Sequence, residues 1–170
     1  GAVEFYKAAK SKGIKPIIGC EVYVAPRTRF DKQKPLDSKY SHLVLLCENN
    51  EGYQNLIKLV SLGFTEGFYS KPRVDRETLE KYHGGLIALS ACLAGEIPTA
   101  LLNNDYEAAL KTALWYKNIF GEQNYFLEVQ NHGLPEQQKV NSYMQQLSRD
   151  TGIPLVATND VHYIEKDDSF

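Results

Sequence analysis

The stretch YFLEVQNHGLPEQQKVNSYMQQLSRDTGIPLVAT, residues 125–158, decides the fold class. Residues 125–130 are a β run, 135–151 a helix with Pro135 in its first turn, and 154–158 a second β run. The same rhythm runs back along the chain. Strands are expected at 14–24, 41–46 and 85–91, and helices at 50–64, 76–82, 97–102 and 105–120, the last with Asp105 as N-cap. A polar loop spans 25–40 and a Gly-, Tyr- and Pro-rich loop 63–75. Strands alternating with helices predict an α/β fold with a largely parallel sheet, doubly wound or closed into a barrel. The opening, 1–13, has the period of a helix ending at Gly13 but no capping residue before it, so sequence upstream is expected.

The 170 residues are 43% hydrophobic and 24% charged, enough for one core and one domain. The formal charge of −2 supplies no global basic field for nucleic acid, so any DNA contact has to be local or made by other parts of the protein. With no bilayer-length apolar run and no signal-like N-terminus, a cytoplasmic protein is expected. Cys20, Cys47 and Cys92 are read as free thiols, one of them a possible ligand.

Asp160 and His162 follow the last strand at a spacing of two. On an extended backbone their side chains leave one face about 7 Å apart, suited to one metal or two neighbouring ones. A carboxylate with an imidazole suits zinc, manganese or iron better than calcium, and strand carboxyl ends form the active-site face of α/β folds. The plain alternative is an Asp capping a turn and a His on the surface. Glu21 stands in a strand otherwise without charge, where it needs an ion pair, hydrogen bonds or a metal; Gly19 leaves room beside it. His42 opens a strand rather than closing one, which fits a ligand set at strand ends only if that strand runs antiparallel or the preceding loop folds over the mouth. Cys92 follows a strand and would favour zinc as a thiolate, or is a small buried hydrophobe, the reading that suits Cys20 and Cys47 better.

Glu128 and His132 could line the same mouth, although Gly133 and Pro135 make a turn reading of His132 equally natural. His83 reads as a solvent-facing helix end. The charges of the 25–40 loop read as solvated and mobile. Lys71 and Arg73, among aromatics and Pro72, are better placed for nucleic-acid contact, with packing as the reading preferred. Neither a P-loop nor a glycine-rich nucleotide fingerprint is present.

GIKPIIGCE at 13–21, SHLVLL at 41–46, GFYSKPRVD at 67–75, LSACLAGEIP at 89–98, FLEVQNHG at 126–133 and VATNDVHY at 156–163 together resemble, in order, the PHP (polymerase and histidinol phosphatase) domain of bacterial DNA polymerase III alpha subunits, in its DnaE-like form. The resemblance covers residues 1–170. It implies a distorted (β/α)7 barrel, here incomplete and lacking its first strands, holding up to three divalent metals, zinc foremost and manganese as the alternative. Carried over by motif, Glu21, His42, Cys92, Asp160 and His162 are the expected ligands. The family's His-x-His and Thr-Asp-His-Gly segments would precede Gly1 and its polymerase domains would follow Phe170, so this chain by itself is expected to be inactive.

The resemblance implies a DNA-directed DNA polymerase as parent, with DNA, the other domains of the alpha subunit and a proofreading subunit as partners. For the domain itself it implies phosphoesterase or 3'-5' exonuclease action. A metal-stabilised, non-catalytic scaffold for the polymerase core is the first alternative. A free-standing phosphatase such as histidinol phosphatase is the second.

Overall fold

A computed structural model describes residues 1–169. Its strands are Gly19–Val24 (β1), Ser41–Cys47 (β2), Arg73–Val74 (β3), Leu86–Leu89 (β4), Tyr125–Val129 (β5) and Leu155–Ala157 (β6). Its helices are Ala2–Ser11 (α1), Asn50–Thr65 (α2), Arg76–Tyr82 (α3), Glu96–Leu102 (α4), Tyr106–Phe120 (α5) and Pro135–Thr151 (α6), with a short 3-10 turn at Lys166–Ser169. The strands form a six-stranded sheet in the order β3-β1-β2-β4-β5-β6. β2 is antiparallel to both neighbours and every other pairing is parallel. This is the mostly parallel α/β sheet expected. No pairing joins β3 to β6 among the described residues, so the sheet has two ends here.

Local chemistry explains the helices. Asn49 caps α2 by accepting from the Gly52 N–H, and Asp75 and Asp105 do the same for α3 and α5. In α6, Val140, Met144 and Leu147 recur at helical spacing and are buried, and Gly152 ends the helix at φ +70°. α2 likewise buries Leu56 and Leu59. Against these faces the sheet presents Val22, Val24, Leu43, Leu45, Leu86, Ala88, Tyr125 and Leu127, all buried. By strand alternation, Glu21, Tyr23, His42, Val44 and Glu128 project from the opposite face.

The 25–40 loop exposes most of its residues as expected, Lys32, Lys34 and Lys39 among them, but two of its charges, Arg29 and Asp37, are buried. Arg29 is 8% exposed; its backbone N–H donates to Asp75 (2.8 Å), and its guanidinium donates to Glu66 (2.6 Å), Glu77 (2.8 Å) and Asp75 (3.2 Å). Asp37 accepts from Arg27 and from the Gln33 N–H. Arg73 is 0% exposed and spends its guanidinium on the carbonyls of Gly67 (3.1 Å), Asp37 (3.0 Å) and Asp31 (2.9 Å). Buried charge satisfied this fully pins the loop to the β3–α3 corner.

The network carries a pH dependence. The Asp37 carboxyl is held down mainly by the Arg27 hydrogen bonds, and the Asp31 carboxyl by the Thr28 hydroxyl and amide. Burial pushes the Asp75 carboxyl up, but hydrogen bonds from Arg29 and Thr78 and the Arg29 charge bring it below the usual range. Carboxyls lowered in the folded state contribute stability that is complete above their unfolded value, about 3.9, and is lost as pH falls through the folded one. The thermal midpoint should therefore hold down to about pH 5 and fall steadily below about pH 4. A midpoint unchanged at about pH 3 would show that these carboxyls are not depressed.

Candidate metal centre

Strand register brings the first two donors together. Glu21 pairs with Val44 across the antiparallel β1–β2 ladder, which sets His42 diagonally beside Glu21 on the helix-free face. The His42 Nδ1 contacts the Glu21 carboxylate. The charge in an apolar strand is not buried as its neighbours suggested, since the Glu21 side chain is 36% exposed. Because β2 is reversed, the residue that opens it lies opposite Tyr23, next to the carboxyl end of β1. This is the antiparallel solution to the position of His42.

The third donor arrives on the segment after β4. The His42 N–H donates to the Ala94 carbonyl at 3.0 Å, and His42 bridges to Gly95. A Cβ at Gly95 would run into the Ser90 carbonyl, so glycine permits this tight return. Cys92 Sγ then lies 3.5 Å from His42 Nδ1. One donor atom each from Glu21, His42 and Cys92 lie within 4.8 Å of one another. Burial pushes the Cys92 thiol up, the Ala94 amide opposes this, and the charges of Glu21 and Asp160 push it up further. A cation among the three would reverse that balance and stabilise the thiolate. Oxygen, nitrogen and sulfur donors in one cluster fit a divalent transition metal, with sulfur selecting zinc.

Asp160 and His162 are arranged differently from the expected strand-end pair. β6 ends at Ala157, and Asp160 takes φ +48°, so the two side chains do not share an extended backbone. The His162 side chain is 72% exposed and its Nδ1 donates back to the Asp160 carbonyl at 2.7 Å. The Asp160 charge nevertheless acts on Cys92. Neither Asp160 nor His162 is in the converged cluster among the described residues.

Glu128 is 5% exposed on the same sheet face. Its Oε1 accepts from Gln130 Nε2 at 3.1 Å and from the Thr158 hydroxyl, while its Oε2 is buried with no partner among the described residues. A cavity of about 10 Å³ beside it, lined by Cys92, Glu128, Gln130, Gln137 and Asn141 among others, is the size of one water. His132 belongs to a turn, as its glycine suggested, and its ring is bonded to Gln137 and to the Asn159 carbonyl.

The nucleic-acid reading of Arg73 is corrected by its complete burial, which leaves it no surface to offer a phosphate. Lys71 is exposed, with Nζ 5.6 Å from the Tyr23 ring centroid. Tyr23 and Tyr40, which the sequence reading passed over, contact each other and adjoin His42, with ring centroids 5.3 and 6.1 Å from its ring. Tyr23 was open to inference, because alternation places it on the same face as Glu21. Cys20 and Cys47 pack against the core, as read.

Residues 1–132 match the PHP domain family. Over 99% of its length the chain is 51% identical to a DNA polymerase III subunit alpha of Thermus aquaticus, and it covers 14% of that protein. The corresponding proteins of Borreliella burgdorferi and Treponema pallidum are 48% and 49% identical over 99% of the chain, which covers 15% and 14% of them. The chain thus spans about one seventh of the length of these relatives. With the match extending over more than half of its residues and taking in Glu21, His42 and Cys92, the chain belongs to the PHP domain family.

Proposed function

We propose that this chain is part of the PHP domain of a replicative DNA polymerase III alpha subunit and carries most of a metal-dependent phosphodiesterase site acting on DNA 3' ends. The observation that carries the reading is the convergence of Glu21, His42 and Cys92 donors within 4.8 Å on the helix-free face of the sheet. The part of that face formed by Glu21, Tyr23, His42 and Val44 is at least partly exposed, which favours closure of the sheet into the (β/α)7 barrel with strands from elsewhere in the protein. The site then lies inside the barrel mouth. DNA and the remaining alpha-subunit domains are its partners, with a proofreading subunit beside them, in the cytoplasm. No helix among the described residues is long and apolar enough to cross a membrane.

Glu21, His42 and Cys92 would hold one divalent ion, zinc before manganese, and Asp160 and His162 would complete a set of up to three with residues outside this chain. Such ions supply an activated water and charge neutralisation at phosphoester oxygens. Tyr23 and Tyr40, in contact with each other, pack against the His42 ring and restrict its orientation. Lys71, exposed beside Tyr23, offers a positive charge to an approaching phosphate.

In the full-length protein, His42→Ala and Cys92→Ser are expected to reduce release of nucleotides from a 3'-labelled strand to the level of the metal-stripped protein, with primer extension retained. Undiminished hydrolysis in both variants removes the catalytic role. The scaffold reading is favoured by one observation, the complete burial of Arg73, which takes a guanidinium away from the DNA. It requires that chelation lower the thermal midpoint while 3'-end hydrolysis is absent from the wild type.

A further inference from the structure

Asp160 is a non-glycine residue at φ +48°, a conformation that L side chains rarely adopt, in a turn that no regular strand supports. Asp is among the few non-glycine residues that enter this region, and the turn around it is held from both sides. On one side, the Thr158 N–H donates to the Val129 carbonyl at 3.1 Å, and the Thr158 hydroxyl is held by Glu128 and Gln130. On the other side stands His132. The Gln137 side-chain oxygen accepts from the His132 N–H at 2.7 Å, and its Nε2 donates to His132 Nδ1 at 2.8 Å. With Nδ1 accepting, the ring proton lies on Nε2, which donates to the Asn159 carbonyl at 2.9 Å.

The Asn159 carbonyl and the Asp160 nitrogen belong to one rigid peptide plane. Fixing that oxygen therefore fixes the plane from which the Asp160 φ is measured. Gln137 is itself buried, so the chain of bonds runs from the first turns of α6 through His132 to the backbone that aims Asp160.

We propose that His132 is a positioning residue of the metal centre, fixing through the Asn159 carbonyl the peptide plane that carries Asp160, without itself binding metal. This rests on the reading of Asp160 as a ligand. Its action resembles that of outer-shell partners, whose loss lowers metal affinity about 10- to 100-fold.

The test is competitive titration of zinc(II) into the full-length protein, as wild type, Asp160→Asn, His132→Leu, His132→Gln and the double variant His132→Leu/Asp160→Asn. Asp160→Asn is expected to weaken zinc binding at least about 10-fold and His132→Leu by about 10-fold. The double variant should be no weaker than Asp160→Asn, since the two losses are one. His132→Gln, whose amide N–H reaches the same carbonyl, should recover most of the affinity, which a bulk effect on folding would not predict. Should His132→Leu unfold, His132→Asn, too short to reach Asn159, takes its place with the same expectation. Wild-type affinity in His132→Leu beside a weakened Asp160→Asn overturns the positioning role and leaves the ligand reading standing. So does full additivity in the double variant. Wild-type affinity in Asp160→Asn overturns both.

Discussion

Asp75→Ala should destabilise the fold by about 3–5 kcal/mol, the combined cost of a lost helix cap, a buried amide left without its acceptor and the most buried of three counter-charges to Arg29, which for a chain of this size lowers the thermal midpoint by roughly 6–20 °C. Asp75 does three things at once. It caps α3 by accepting from the Thr78 N–H at 3.0 Å, it accepts from the Arg29 N–H at 2.8 Å, and it faces the Arg29 guanidinium. Removing it frees the end of a helix and strips the loop's main anchor of its most buried counter-charge. Glu77 provides the contrast. It contacts the same guanidinium at 2.8 Å but is a solvated side chain, so Glu77→Ala should cost less than about 1 kcal/mol. Asp75→Asn keeps the capping oxygen and should recover about 1 kcal/mol of the alanine loss. Chemical denaturation of the three variants side by side decides the matter. Equal losses for Asp75→Ala and Glu77→Ala would mean that burial does not set the strength of this network.

The same network shows where reading the sequence stops. The helix at 135–151 was legible to the residue, because its proline start, apolar spacing and glycine stop are all local signals. The strand β3 was not. Two residues, Arg73 and Val74, pair with β1 only because the chain returns to Tyr23 and Val24, and so short a segment carries no alternation to detect. The pinned 25–40 loop was missed for the same reason. Arg29 meets partners 37 to 48 positions away, and no local pattern distinguishes an arginine in such a cluster from a solvated one.

The candidate centre divides along the same line. Glu21 stood out as a charge in an apolar strand, and its face follows from alternation. The position of His42 required the direction of β2, which local sequence does not encode, and Cys92 required the return of the 90–95 segment onto His42. For Asp160 and His162, an extended backbone was assumed and the strand ended three residues too early. For these two residues only the resemblance points to a ligand role.

Cys92 separates a metal centre from a chance meeting of donors. In the full-length protein loaded with zinc(II), its sulfur should be held as a bound thiolate and react slowly with an alkylating reagent; after chelation it should react quickly. Cys20 and Cys47 serve as internal references. Their thiols are pushed up chiefly by burial, they pack against the core, and their labelling should be the same with and without the metal. Cys92→Ser replaces a soft ligand by a poor one and should lower zinc affinity by at least about 10-fold, whereas Cys20→Ser and Cys47→Ser should leave it unchanged. The size of the expected effect follows from the geometry, since among the described residues Cys92 is one of three donors in the converged cluster and the one that favours zinc. Peptide mapping of the alkylated sites by mass spectrometry reads all three cysteines in one experiment. Labelling of Cys92 that ignores the chelator, together with wild-type zinc affinity in Cys92→Ser, would remove it from the site and leave Glu21 and His42 as an ordinary cross-strand pair.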